Sequence, residues 1–280
     1  MIIRCWGCRG SVPVSGREYV KYGGDTTCFE IRTDDDQIII LDAGSGIRRL
    51  GNELMTQGRF EYNVFFTHTH WDHILGFPFF KPLFIPNTKI NIAGCPFSEK
   101  YIHKALSSAM SPPYFPVKLE QIRADLRYNA NDCNDIFTIG TVKITTIRLS
   151  HPNQGIGYKF TEGDKSFVFL TDNELGFIHK GGKTIDDYLR FTEGADILLH
   201  DSEYSAQEYK MTKMWGHSTY NDSVELALRA GVKKFGLIHH NQDRSDDALD
   251  KIVSECRDII KKNNSDMECF AVATFAEIKL

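Results

Sequence analysis

Residues 67–73 read Thr67-His68-Thr69-His70-Trp71-Asp72-His73, directly after the apolar run Val64-Phe65-Phe66. Nothing else in the chain constrains its fold as strongly. A short β-branched and aromatic run reads as a buried strand. At the end of an extended strand, positions i and i+2 point the same way, so His68 and His70 can grip one metal ion. The chain must then turn, which lets Asp72 and His73 swing toward a second ion beside the first. Neutral imidazole and carboxylate suit zinc, manganese or iron. The plainer reading, a histidine-rich surface loop with chance metal affinity, depends on what the rest of the chain supplies.

Two ions need more ligands than one heptad holds. His151 follows the alternating run Val142–Ser150, Asp172 follows Phe167-Val168-Phe169-Leu170-Thr171, and His239 follows Phe235-Gly236-Leu237-Ile238. Upstream, Asp42 follows Ile38-Ile39-Ile40-Leu41 and precedes Ala43-Gly44-Ser45-Gly46. An acidic or imidazole group closing strand after strand is how a site is built at the rim of a layered α/β scaffold.

On these residues the chain resembles the metallo-β-lactamase fold superfamily, whose pattern is an aspartate, then His-x-His-x-Asp-His, then a histidine, an aspartate and a histidine. The resemblance runs over nearly all of the chain. It implies an αββα sandwich of two mixed β-sheets flanked by helices, formed by residues 1–280 as one hydrolase domain, with the ligands along one edge. It also implies that one ion takes His68, His70 and His151, that the other takes Asp72, His73 and His239, and that Asp172 bridges both. Asp42 would support the ligands from behind, fixing an imidazole tautomer. His240 adjoins His239 and competes with it for the last position; His239 ends the apolar run directly and is preferred, leaving His240 as a loop residue.

The later stretches narrow the branch. Ala195-Asp196-Ile197-Leu198-Leu199-His200-Asp201 reads as a buried strand, and Trp215-Gly216-His217-Ser218-Thr219 precedes an amphipathic helix. The combination is similar to the ribonuclease Z branch, which also includes phosphodiesterases acting on cyclic ribose phosphates. Asp201 stands where that branch carries glutamate, a shorter arm that would alter the hydrogen-bond geometry. A histidine held as imidazolium by a carboxylate can protonate a departing alkoxide, so His217 and Asp201 are catalytic candidates beside Asp72. The plainer reading makes His217 an N-terminal helix residue, with Ser218 or Thr219 as cap and Gly231 as terminator. Ser218 is expected to be a cap and not a nucleophile, and His200 to be structural, facing away from Asp201.

A ribonuclease Z normally carries a glycine- and proline-rich arm for transfer RNA, and the sequence shows none. The net charge of −4, from 33 Lys plus Arg against 37 Asp plus Glu, also argues against a broad nucleic-acid footprint. The expected substrate is therefore a small phosphodiester or nucleotide, with RNA as the alternative. A thioester or lactone hydrolase is a further alternative, disfavoured by the His217–Asp201 pair. The Pro-rich, aromatic segment 107–117 reads either as a stiff lid offering Tyr114 or Phe115 to a base or sugar, or as a turn packing its aromatics into the core. Mechanistically, two cations (zinc or manganese, with iron a further candidate) about 3.5–4 Å apart would share a hydroxide that attacks phosphorus directly.

Other features set bounds. The N-terminal apolar run is too short for a signal peptide and no stretch reaches membrane-span length, which points to the cytoplasm. Seven cysteines, an odd count, fit reduced thiols, and Cys5 and Cys8 read as buried free thiols, not half of a zinc site. Residues 9–24, with four glycines, read as structural turns, and Asp34-Asp35-Asp36 as a hairpin turn. Strands are expected near 2–6, 27–32, 37–41, 62–66, 89–93, 142–149, 156–161, 166–170, 196–200, 235–238 and 268–279. Helices are expected at 45–57, 98–107, 184–192, 205–211, 218–230 and 245–262. The resemblance further implies a homodimer.

Overall fold

The structure is a computed structural model and describes residues 1–94, 99–129 and 136–280. Its strands form two seven-stranded sheets. The first holds β1 (Ile2–Gly7), β2 (Cys28–Arg32), β3 (Ile38–Leu41), β4 (Glu61–Phe66), β5 (Lys89–Gly94), β6 (Asp125–Asn129) and, at its other edge, β14 (Glu277–Lys279). The second holds β7 (Ile136–Ile139), β8 (Val142–Leu149), β9 (Gly155–Glu162), β10 (Lys165–Leu170), β11 (Ile197–Asp201), β12 (Lys234–Ile238) and β13 (Glu268–Ala271). Each sheet is antiparallel over one half and parallel over the other, the change falling at β3 in the first and β10 in the second.

The strand sequences explain the layering. Ile38 and Ile40 of β3 pack outward with Val64 and Phe66 of β4, against Leu50 and Leu54 of α1 (Ile47–Thr56). After the short α2 (Trp71–Ile74), α3 (Glu99–Ala109) adds Ile102 and Leu106 to the same layer. The alternate residues Ile39, Leu41 and Phe65 face the second sheet, where Phe160, Phe167, Phe169 and Leu199 close the central core. Val168 and Leu170 point the other way, to Val224, Ala227, Ile252 and Val253 on α6 (Tyr220–Arg229) and α7 (Asp246–Lys262), with α4 (Ile185–Thr192) beside them. Strands covered on both faces are apolar throughout, and that is why these runs lack alternation. Helix α5 (Ala206–Thr212) buries none of its residues. The result is the αββα sandwich that the family resemblance implies.

Local sequence accounts for most element ends. Thr184, Ser205, Thr219 and Ser245 each accept the amide three residues on, capping α4 to α7. Gly231, with φ 65°, follows α6 as expected. Two expectations need correction. The stretch 268–279 is two strands in different sheets: β13 pairs with β12, and the chain crosses at 272–276 so that β14 pairs with β1. Ser218 does not cap α6; Thr219 does. Strands β6 and β7, each at an edge of its sheet, were not expected at all. Cys5, Cys8, Cys28, Cys256 and Cys269 are buried and free. In segment 107–117, Tyr114 is exposed, while Phe115 packs edge-on against Phe79 at 5.5 Å and joins the outer core. No helix among the described residues is long and apolar enough to cross a membrane.

Candidate metal centre

Six strands that run toward the same rim deliver the site. β3 ends in Asp42, β4 in the heptad, β8 in His151, β10 in Asp172, β11 in Asp201 and β12 in His239. Asp42, Asp172 and His239 all turn there with left-handed backbones, at φ 59°, 49° and 57°. Non-glycine residues avoid this region at a cost of order 1–3 kcal/mol each, and such strain gathers where a side chain has to be aimed. The strand delivers the residue, and the left-handed turn points it into the cleft.

The structure brings the expected ligands together in the expected division. Donor atoms of His68, His70, His151 and Asp172 lie within 4.8 Å of one another, as do those of Asp72, His73, Asp172 and His239. Asp172 belongs to both groups, with Oδ1 at 3.2 Å from His73 Nε2 and Oδ2 at 3.3 Å from His239 Nε2 and 3.6 Å from His68 Nε2. Asp72 Oδ2 stands 3.2 Å from His73 Nε2 and 3.3 Å from His239 Nε2. A third group joins Asp201, His217 and His239.

Each of four imidazoles is fixed from behind. His73 Nδ1–H donates to Asp42 Oδ2 at 2.8 Å, and His239 Nδ1–H to Glu203 Oε2 at 2.9 Å. His151 Nδ1–H donates to the Gly216 carbonyl at 2.9 Å, and His68 Nδ1–H to Thr67 Oγ1 at 3.1 Å, which itself donates to Asp42. With Nδ1 committed, Nε2 is the nitrogen turned to the cleft. The buried Nε2 atoms of His68 and His73 have no hydrogen-bond partner. Buried ring nitrogens without a hydrogen-bond partner, set among carboxylates, are the donor set a divalent cation satisfies, so these residues fit metal binding.

The electrostatics agree. Burial holds His68 well below the ordinary histidine range and His151 down to about 3, so both are neutral and able to ligate. Burial alone would raise Asp172, but His239, His73 and His68 outweigh it and keep the carboxyl well below its usual range. Burial would likewise lower His73, yet Asp72, Asp172 and Asp42 push it well above normal. A field that favours a proton this strongly favours a divalent cation in the same place. His217 sits at the edge of this cluster. Its Nδ1–H donates to Asp201 Oδ2 at 2.7 Å, with Glu203 Oε2 at 3.5 Å. Against the burial that would lower it, Glu203 and Asp201 raise it to about 9.

The model of the beta-lactamase superfamily domain matches residues 38–240, which span the site from Asp42 to His239. The chain belongs to this superfamily. It is similar to the ribonuclease Z of Picrophilus torridus, at 25% identity over 90% of this chain and 89% of that one. Among solved structures it resembles unliganded yeast PDE1 (TM-score 0.73, 15% identity, covering 100% and 99% of the two chains). It also resembles a diphosphatase of the PhnP family (TM-score 0.67, 15% identity, 100% and 97%). These likenesses show the metallo-β-lactamase fold, and the chain is a hydrolase of the superfamily.

Two neighbouring histidines fall where the sequence put them. His240 turns away from the cleft, its Nε2–H donating to the Val272 carbonyl at 2.8 Å. His200 is buried between Asn173 and Ser223 and takes no part in the ligand groups. Two readings of the sequence fall short. Residues 9–24 are more than structural turns: the Ser11 amide donates to Asp72 Oδ2 at 2.9 Å, and Gly10 lies so close to His239 that a Cβ would sit 2.4 Å from the ring. Glu203 was missed altogether, because a carboxylate two residues past the strand end has no local pattern to mark it. Ser218 ties the Asp172 loop instead of capping, accepting from Leu175 N at 3.0 Å and donating to the Asn173 carbonyl at 2.5 Å.

Proposed function

We propose that residues 1–280 act as one dinuclear, metal-dependent phosphodiesterase whose substrate is a small cyclic phosphate or nucleotide. One divalent cation, zinc or manganese, would be held by His68, His70, His151 and Asp172, and the other by Asp72, His73, His239 and Asp172. The observation that carries the reading is His217. Its imidazole is braced by Asp201 at 2.7 Å and stands 4.0 Å from Asp172, the carboxylate common to both groups. When bound, two such cations supply a water of lowered pKa and neutralise charge on non-bridging oxygens.

The chain's own residues do the rest. Asp201 accepts the hydrogen bond from His217 Nδ1–H and so holds the imidazolium in place, leaving Nε2–H as the proton available to a departing alkoxide. Glu203 adds negative charge on the same side and stabilises the imidazolium. Asp42, Thr67 and the Gly216 carbonyl keep the ligand imidazoles in one tautomer, so no reorganisation is needed as charge develops. Burial of Asp72, Asp172 and His239 excludes bulk water from their side of the cleft.

The names of the relatives support a phosphodiester over a thioester or lactone. An RNA-endonuclease reading is weaker on the charge balance. In addition, the path from His151 to Asp172 is taken up by the β9–β10 hairpin, whose turn is only Gly163-Asp164, leaving no arm there. The test is hydrolysis of bis(p-nitrophenyl) phosphate by protein loaded with manganese or zinc. Turnover should be lost in Asp172→Ala. Efficient cleavage of a thioester or lactone with no cleavage of any phosphodiester would overturn the reading.

A further inference from the structure

The chain has three tryptophans. Trp6 is buried, and its indole donates to Glu30 at 3.0 Å. Trp71 and Trp215 are 60% and 62% exposed. Each is adjacent to the site in sequence, Trp71 between His70 and Asp72, and Trp215 two residues before His217. Single exposed apolar residues are unremarkable, but indoles left in water forgo a large burial and tend to mark recognition surfaces.

The two segments that carry them are linked through His151. His70 Nδ1 lies 2.9 Å from His151 Nε2, and His151 Nδ1–H donates to the Gly216 carbonyl at 2.9 Å. The tryptophans thus flank one line of contacts, His70–His151–Gly216, along a wall of the first ligand group. Both are also held firmly. The buried Glu174 carboxylate accepts from the amides of Met214 at 2.7 Å and Gly216 at 2.8 Å and from Tyr209 Oη at 2.6 Å. Met214 and Gly216 take left-handed backbones at φ 74° and 99° on either side of Trp215, and a Cβ on Gly216 would sit 2.1 Å from His151. Trp71 starts α2, with the buried Asp72 and His73 anchoring the turn behind it. The loop is locked by a buried carboxylate, strained at Met214 and placed so that the Gly216 carbonyl meets His151, yet none of this requires an indole displayed to solvent at position 215.

We infer that Trp71 and Trp215 form an aromatic mouth that stacks a planar group of the substrate. The preferred diester is then a nucleotide-type one, carrying a base or comparable aromatic ring, and not a bare sugar phosphate. This rests on the phosphodiesterase reading above. Stacking on an aromatic side chain is tolerant of base identity and strong enough to dominate KM for a small ligand.

The experiment compares 2′,3′-cyclic AMP with a cyclic phosphate of ribose lacking a base, using the manganese-loaded full chain and its Trp71→Ala, Trp215→Ala, Trp71→Phe and Trp215→Phe variants. The preference for the nucleotide, as the ratio of kcat/KM values, should fall about ten- to hundred-fold in the alanine variants through KM, and largely recover with phenylalanine. In parallel, AMP should quench the fluorescence of the exposed indoles, less so in each phenylalanine variant. An unchanged ratio in both alanine variants, or no quenching by AMP, overturns the mouth while leaving phosphodiester hydrolysis intact. Quenching without cleavage of any phosphodiester supports the mouth and removes the hydrolytic reading instead.

Discussion

Asp201 Oδ2 lies 2.7 Å from His217 Nδ1, a hydrogen bond across 16 residues of chain that are closed by the pairing of Tyr204 with Thr219. The shorter aspartate arm reaches the imidazole because β11 carries it to the rim, where the amides of Glu203 at 3.1 Å and Asn173 at 3.3 Å hold the carboxylate in place. If the pair serves leaving-group protonation, His217→Ala should lower kcat about 10²–10⁴-fold and Asp201→Asn by less, with both cations retained. Steady-state kinetics with elemental analysis checks this. Undiminished turnover in His217→Ala would remove the role.

Glu203 links two functions, accepting from His239 Nδ1–H at 2.9 Å and from Asn241 Nδ2–H at 2.8 Å while standing 3.5 Å from His217. Glu203→Gln keeps the shape and removes the charge. It should weaken the cation held by Asp72, His73 and His239 about 10–100-fold. The cation at His68, His70 and His151 should be little affected, so a metal titration should turn from one affinity class to two. Two equally weakened sites would contradict this.

Gly10→Ala places a methyl group 2.4 Å from His239. Either the loop or the ligand must move, at a cost of about 1–3 kcal/mol. The melting temperature should fall by roughly 2–4 °C per kcal/mol, and added zinc should raise it less in the variant than in the parent protein. Thermal melts with and without zinc decide the matter.

Away from the site, Glu208 offers a pH signature. Burial alone would raise its carboxyl, but Arg244 at 2.7 Å and the Ser205 amide and hydroxyl outweigh that and push it down to about 2 from an ordinary 4.5. A carboxyl with a depressed folded pKa stabilises the protein fully above the unfolded value. That contribution is lost as pH falls toward the folded one. Glu208→Gln should therefore be less stable than the parent at neutral pH, by under about 1 kcal/mol given the exposure of the side chain. The gap should close progressively below about pH 4.5, and urea titrations at several pH values would show it. A gap that widens in acid would refute the assignment.

The strands closed by Asp42, His68, Asp172 and His239 were legible because each is a continuous apolar run that must be buried on both faces, and such a run ends where a polar residue stops it; the strand before His151 was legible from its alternation instead. The choice of His239 over His240 followed from the same logic, since the strand ends at Ile238. Local chemistry also set the caps at Thr184, Ser205 and Ser245. The amino-acid order therefore marked which side chains reach the rim, while their division between two groups came from the resemblance to the superfamily. Glu203, the Ser11 amide behind Asp72, the closeness of Gly10 to His239 and the splitting of 268–279 between two sheets were decided only in three dimensions. Each depends on contacts between segments far apart in the chain, where partner choice is set by the packing of one sheet on another and leaves no periodic trace in either segment.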